Sequence, residues 1–350
     1  MKFGLLYLPT YVPELDGPVG TFYDRMLEQI ARAEELGFQS VWLTEHHFNI
    51  YGGTISNPAV FGAAIARATQ RIRIGTAVTV LPLHNPLLVA EDFAMLDVLS
   101  DGRLDFGIGR GSVSAEYREF GIATDGVGSA SVMAEGSDLI LRAWSEERFS
   151  FRGQHFSYDD ISLWPRPVQQ PHPPIYVGAA RTPDTFAWAG QRGYHVMVLP
   201  YMFPPEFLHE RLGLYRDALR GSGHDPSSVD VLAKFHVFVA DSAEEASRVA
   251  GPAYDNYQRI ARNRSGREHQ DYWRAGTEWD DQVRAYKIIA GAPDDCIERI
   301  RYWRDTLGIN HLGGTFHFGG LSQEATLRSI ELFAREVAPA FASEERAAAA

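Results

Sequence analysis

The chain has 350 residues, and 33 Lys+Arg against 45 Asp+Glu leave a formal net charge of −12. That acidic balance argues against a nucleic-acid or anionic-membrane partner, which would want a basic stripe. With 45% apolar and 22% charged residues the chain is expected to fold, and its one cysteine, Cys296, excludes an internal disulfide and a cysteine-based metal cluster.

The first apolar run, Phe3–Leu8, stops at Pro9. It is too short for a signal-peptide core or a membrane span, so it reads as a buried strand of a cytoplasmic protein. Phe22, Met26, Ile30 and Ala33 follow at helical spacing, and Gly37 ends that helix. A second strand, Ser40–Thr44, runs into Glu45-His46-His47-Phe48. Pro58–Thr69 is an Ala-rich helix, Ile72–Val80 a β-branched strand, and Pro86–Leu99 a helix with Pro at its first position. Arg103–Gly109 is a fourth strand, ending in Phe106-Gly-Ile-Gly-Arg-Gly111, and Ser129–Trp144 is a helix. Further strands are expected at Ile175–Ala179, Tyr194–Leu199, Val229–Val239 and Ile309–Phe316, each followed by helical pattern, the last Gln323–Val337.

Eight buried strands alternating with helices predict one (β/α)₈ TIM barrel over residues 1–350. Two stretches break the rhythm. Residues 147–174 read as a surface hairpin and a Pro-rich connector, and 262–284 as either a lid or a solvated insertion.

Barrel active sites lie at the C-terminal ends of the strands, which places several residues. His46 and His47 follow the second strand. Adjacent side chains point opposite ways, so at most one enters a pocket, as a general base or hydrogen-bond donor. Scattered histidines and no HExxH give no metal site. The GxGxG at 107–111 is not a dinucleotide fingerprint, which belongs after a first strand. It suits close backbone approach to a flat ligand, with Arg110 as a fork for phosphate. Ala180-Arg181-Thr182-Pro183 opens a helix after the fifth strand, with Thr182 as the expected N-cap and an anion site at the free N–H groups. Lys234, His236 and Phe238 share the inward face of the seventh strand and are expected to be satisfied interior residues. Tyr201 and Phe203 after the sixth strand, and His317 after the eighth, are candidates for the wall of a substrate pocket.

The chain resembles the bacterial luciferase-like, flavin-dependent monooxygenases in four stretches: EHHF at 45–48, PLHNPLLVAEDFAMLDVLSDGRLDFGIGRG at 82–111, LWPRPVQQPHPPIYVGA at 163–179 and LFAREVAPAF at 332–341. The resemblance implies a barrel that binds reduced FMN at its C-terminal face, takes it from a separate flavin reductase, and uses dioxygen on a small or medium organic substrate. It makes His46 the catalytic histidine. It makes Ala77–Val78 a cis peptide under the flavin ring, and Arg110 with Ala180–Thr182 the phosphate site. His47 and Glu91 correspond to positions near a dimer interface, so a homodimer packed through the helix Pro86–Leu99 is expected.

Two positions depart from the family pattern. Gly109 stands where luciferase has a reactive cysteine, which implies a more open flavin edge. Ala130 follows Ser129 where many members carry a second phosphate arginine, and Arg181 is the expected substitute. The alternatives are a deazaflavin-dependent oxidoreductase on the same barrel and a non-catalytic flavin-binding subunit. EHHF speaks against the first, and retention of His46 and Arg110 against the second.

Overall fold

A computed structural model describes residues 1–122, 128–264 and 278–349. Eight parallel strands close a barrel: β1 (Lys2–Tyr7), β2 (Ser40–Leu43), β3 (Arg73–Thr76), β4 (Leu104–Gly109), β5 (Ile175–Gly178), β6 (His195–Val198), β7 (Val231–Val239) and β8 (His311–Thr315). Each pairs with the next, and β8 returns to β1 with His311 opposite Lys2. The predicted architecture is the observed one. Asparagines start two of the surrounding helices. Asn57 accepts from Ala59 N–H and Val60 N–H, Asn85 accepts from Leu87 N–H, and each precedes a proline at the first helical position.

Two elements differ from expectation. The run Ile72–Val80 is not one strand. Its ladder is interrupted after Thr76 by the cis peptide Ala77–Val78, and Thr79–Val80 then pairs separately with Ile108–Gly109. An unanticipated strand, Ile288–Gly291, pairs with β7 at His236–Val239. Four apolar residues before a helix carry too little periodicity to be told from the helix itself. The hairpin in 147–174 is present as Phe149–Arg152 against Ser157–Ile161. Of the expected lid, residues 265–277 lie outside the described residues, while 279–284 form a short helix.

The barrel interior is filled. Leu6, Trp42, Ala77, Tyr176, Met197 and Leu232 form one apolar cluster across it. Trp42 crosses toward β3, where Gly75 makes room: a Cβ at 75 would come within 2.2 Å of the indole. A full side chain of this size contributes roughly 1.5–3 kcal/mol by burial. Below this cluster, at the N-terminal end, Asp230 accepts from Lys2 Nζ at 2.9 Å and Tyr176 Oη at 2.6 Å, with His311 Nδ1 at 3.3 Å. Burial alone would raise the Asp230 pKa, but the hydrogen bonds from His311, Tyr176 and Lys2 outweigh it and hold the carboxyl well below its usual range. The polar groups at that end are thus paired with one another, whereas most of the residues singled out in the sequence gather at the C-terminal mouth.

Candidate active site

Four strand ends build the mouth. At the end of β2 the chain presents Glu45, His46 and His47 in succession. Glu45 is fully buried and turns away from the barrel axis. One carboxylate oxygen receives His47 Nε2 at 2.9 Å and His84 Nε2 at 2.6 Å, and the other receives Val80 N–H at 2.9 Å. Burial pushes the Glu45 pKa up, and the histidine hydrogen bonds reverse this and bring it to about 2. His84 is pushed down by burial but further up by Glu45, so it stays protonated to higher pH than an ordinary histidine. Two histidines and a carboxylate this close resemble a metal-ligand set, but each polar atom facing the centre already has a short hydrogen-bond partner within the set. His47 is thus committed internally, and its ring also meets Phe120 edge-on at 4.8 Å.

His46 points the other way. Its Nδ1 lies 3.2 Å from Glu116 Oε1, and the same oxygen accepts His47 N–H at 3.0 Å. An ionised Glu116 carboxylate can only accept, and that places the hydrogen on Nδ1, which donates to Glu116. Proton exchange is then left to Nε2. This is the orienting logic of a carboxylate behind a catalytic imidazole. Gly52 backs the ring: with φ +78 it has no side chain, and a Cβ there would come within 2.5 Å of His46 Cδ2. Glu116 was not singled out in the sequence. It is a carboxylate six residues after Arg110, on the short helix Ser114–Glu119, and nothing in the spacing says that it folds back to β2.

From β3, the cis peptide Ala77–Val78 lies at the centre of the mouth. Val78 is only partly covered. The glycines of β4 and β5 accommodate it, since a Cβ at Gly109 would meet Val78 Cγ2 at 2.4 Å and one at Gly178 would meet Val78 Cγ1 at 2.8 Å. The expectation of an open edge at Gly109 is therefore corrected: Val78 occupies the space a side chain at 109 would take.

From β4 and β5 come Arg110 and the turn 180–182. Arg110 Nη2 donates to Thr182 Oγ1 at 2.9 Å. Thr182 occupies the N-cap position, with Pro183 following, but its hydroxyl makes no capping bond and serves Arg110 instead. The structure thus brings together an arginine, a hydroxyl and the N-terminus of the helix Pro183–Gln191. Tyr117 Oη holds the Arg110 carbonyl. Arg181 is exposed, its guanidinium over the Phe203 ring at 5.8 Å. Ala180 is half-buried beside it.

The remaining wall is aromatic. The His236 ring is surrounded by Tyr257 at 4.5 Å, Phe318 at 5.1 Å, Tyr254 at 5.5 Å and Tyr201 at 5.9 Å. Tyr257 Oη bonds Tyr51 Oη at 2.8 Å, and the Tyr51 ring lies 6.1 Å from His46. An aromatic band therefore runs from His46 to Tyr201. Tyr51, Tyr254 and Tyr257 were not foreseen, because they come from a loop and a long helix whose contacts are set only by the fold. Two expected wall residues lie elsewhere. Phe203 is buried against Phe207, ring to ring at 5.0 Å, under Arg181. His317 packs on Phe22 of the helix Val19–Glu35 and hydrogen-bonds Leu321 O through Nε2 at 3.1 Å, so it is held between barrel and helix.

Comparison with known proteins agrees with this architecture. The luciferase-like monooxygenase family matches residues 1–311. The alkanal monooxygenase alpha chain of the Kryptophanaron alfredi symbiont is 29% identical over 97% of this chain and 98% of its own. The oxygenase component of the flavin-dependent trigonelline monooxygenase of Acinetobacter baylyi is 28% identical over 91% and 90%. Among solved structures, monooxygenase RslO1 of Streptomyces bottropensis superposes with a TM-score of 0.89 at 31% identity, covering 97% of this chain and 100% of that one. The chain belongs to the luciferase-like monooxygenase family and is an oxidoreductase. An F420-dependent secondary alcohol dehydrogenase shares the fold at 22% identity and a TM-score of 0.72. Among the described residues no helix is long and apolar enough to cross a membrane.

Proposed function

We propose that this chain is the oxygenase component of a two-component monooxygenase, receiving reduced FMN from a separate flavin reductase and using dioxygen to oxidise a small or medium organic substrate. The observation that carries this reading is the convergence of Arg110, Thr182 and a helix N-terminus beside Val78. A dianionic phosphate on a flat ring system fits a cation and free N–H groups next to a broad floor. Reduced FMN, when bound, supplies the electrons that activate dioxygen. The chain's own part is to hold the phosphate with Arg110, Thr182 and the N–H groups of the turn at Ala180, to offer Ala77 and Val78 as the surface for the ring, and to move a proton at His46 Nε2 while Glu116 fixes the imidazole. The aromatic band from Tyr51 to Tyr201 keeps water from that space and suits a substrate with an apolar or aromatic portion.

The exposed apolar side of the helix Pro86–Leu99 supports a homodimer. Leu88 and Met95 are 60% and 49% exposed there, and Val60 on the adjoining helix is 68% exposed.

A deazaflavin reading is tested against the FMN reading directly. Under anaerobic conditions the protein is titrated with reduced FMN and with reduced deazaflavin F420. Reduced FMN should bind and the deazaflavin should not, and on admission of air the reoxidation of protein-bound FMN should differ in rate from that of free FMN. Binding of the deazaflavin alone overturns the proposal.

A further inference from the structure

The inward face of β7 carries two polar groups that the proposed chemistry does not use, Lys234 and His236. Lys234 is 8% exposed. β3 and β7 are four strands apart in either direction around the barrel, so they face each other across it. The Lys234 side chain spans this distance, and its Nζ donates to the Ala77 carbonyl at 2.7 Å. The ammonium therefore sits near the barrel axis, on top of the apolar cluster of Leu6, Trp42, Met197 and Leu232 and beside the Ala77–Val78 peptide.

An ammonium has three donors, and this is its only acceptor among the described residues. Among the described residues no carboxylate offsets its charge, and burial lowers its pKa to about 7. Two residues further along the same face, His236 Nε2 is buried without a hydrogen-bond partner. A strand whose inward face carries an ammonium with donors to spare and an unpaired imidazole nitrogen is suited to meet a ligand there, since buried polar groups left unpaired are costly.

We propose that Lys234 is the residue that makes this site select the reduced, anionic flavin ring over the oxidised ring. The inference rests on the flavin reading above and extends it. Near neutral pH the reduced ring carries a negative charge, and the oxidised ring is neutral. The ammonium form of Lys234, in a water-poor barrel, attracts the first far more than the second, and a bound anion in turn favours that form over the neutral amine. The Ala77 carbonyl aims the ammonium, which leaves its remaining donors for the ring resting on that peptide. A chain that receives its flavin already reduced gains from such discrimination, because oxidised flavin does not then occupy the site.

The test compares wild type with Lys234→Met and Lys234→Gln. Both remove the charge, and Gln keeps a donor for the Ala77 carbonyl should Met disturb folding. Dissociation constants for oxidised FMN, and anaerobically for reduced FMN, are measured at pH 7, with far-UV circular dichroism as a check of fold. Both variants should lose tenfold or more in affinity for reduced FMN and less than threefold for oxidised FMN. A tenfold selective loss lowers the two-electron midpoint potential of the bound flavin by about 30 mV, which spectroelectrochemistry reads independently of turnover. Equal losses for the two redox forms, no loss, or a wild-type ratio in the Gln variant overturns the proposal, leaving Lys234 as support for the Ala77 carbonyl. Wild-type protein that binds neither form overturns the flavin reading itself, and this inference with it.

Discussion

His46 and His47 are neighbours in sequence with opposite fates. His46 is tied to Glu116 and faces the aromatic band, whereas His47 is tied to Glu45 under Phe120. Replacing them separates chemistry from scaffold. His46→Ala should keep reduced-FMN binding within a few-fold and lose roughly 10²–10⁴-fold in turnover, the usual contribution of an acid–base group. Glu116→Gln should keep the fold and lose less, because Gln can still accept at Nδ1 but no longer favours the charged imidazole. His47→Ala should leave the chemistry and instead lower thermal stability by roughly 1–3 kcal/mol, since it removes a donor from a buried carboxylate. Turnover with an accepted substrate and thermal melts check all three. The reverse pattern for the two histidines would show that their roles are exchanged.

At the scale of elements, Glu45 is the joint between the end of β2 and the segment after β3. It ties Val80 N–H and His84 to His47, and so fixes the approach of Thr79–Val80 to β4. Its pKa is lowered to about 2 in the folded state, against roughly 4.3 for an unperturbed glutamate. A depressed folded pKa means that the native state binds the proton less readily than the unfolded chain does. The stabilisation is therefore present above the unfolded value and lost as pH falls toward 2. The melting temperature of wild type should exceed that of Glu45→Gln at pH 6, and the gap should narrow steadily from pH 5 down to pH 3. A gap that is constant over this range would show that the carboxylate's charge is not what holds the joint.

How far these elements can be read in the sequence depends on whether their cause is local. The helix Pro86–Leu99 is legible residue by residue, because Asn85 and Pro86 start it by local chemistry and its apolar spacing continues to Leu99. Ile72–Val80 is rich in β-branched residues and reads as one strand. What divides it is tertiary: Thr76 bonds across to Gly107, and Val78 inserts where Gly109 and Gly178 leave room. Arg110 and Thr182 were legible as strand-end residues, and their meeting at 2.9 Å follows from β4 and β5 being neighbours. Glu116 and Tyr257 were not legible, because each reaches the site from an element whose packing angle no local pattern encodes. Lys234 was visible as an inward residue, yet its lack of a counter-ion among the described residues is a property of the whole barrel interior.

The whole molecule is a barrel that carries the Asp230 network at its N-terminal end and the mouth at the other, with an apolar helix face outside. Leu88, Met95 and Val98 line one side of Pro86–Leu99 and are 60%, 49% and 43% exposed. Exposed apolar rows of this kind mark association surfaces. Sedimentation at micromolar concentration should therefore give a homodimer, and Met95→Glu with Leu88→Lys should give a folded monomer. A monomeric wild type would remove the helix from any such role.

The claim at the centre is that the Arg110–Thr182 end of the mouth holds the phosphate of reduced FMN. Reduced riboflavin carries the same ring without the phosphate, so the two ligands isolate that contact. A charge-assisted hydrogen bond is worth roughly 1.5–3 kcal/mol. Arg110→Ala should therefore weaken reduced FMN roughly ten- to a hundredfold in anaerobic titration, and change reduced riboflavin by less than twofold. Arg181→Ala, whose guanidinium lies over Phe203, should have a comparable effect only if that side chain swings to the phosphate on binding. Equal losses for the two flavins in Arg110→Ala would contradict the account, because Arg110 would then act on the ring or on the fold and the phosphate site would lie elsewhere.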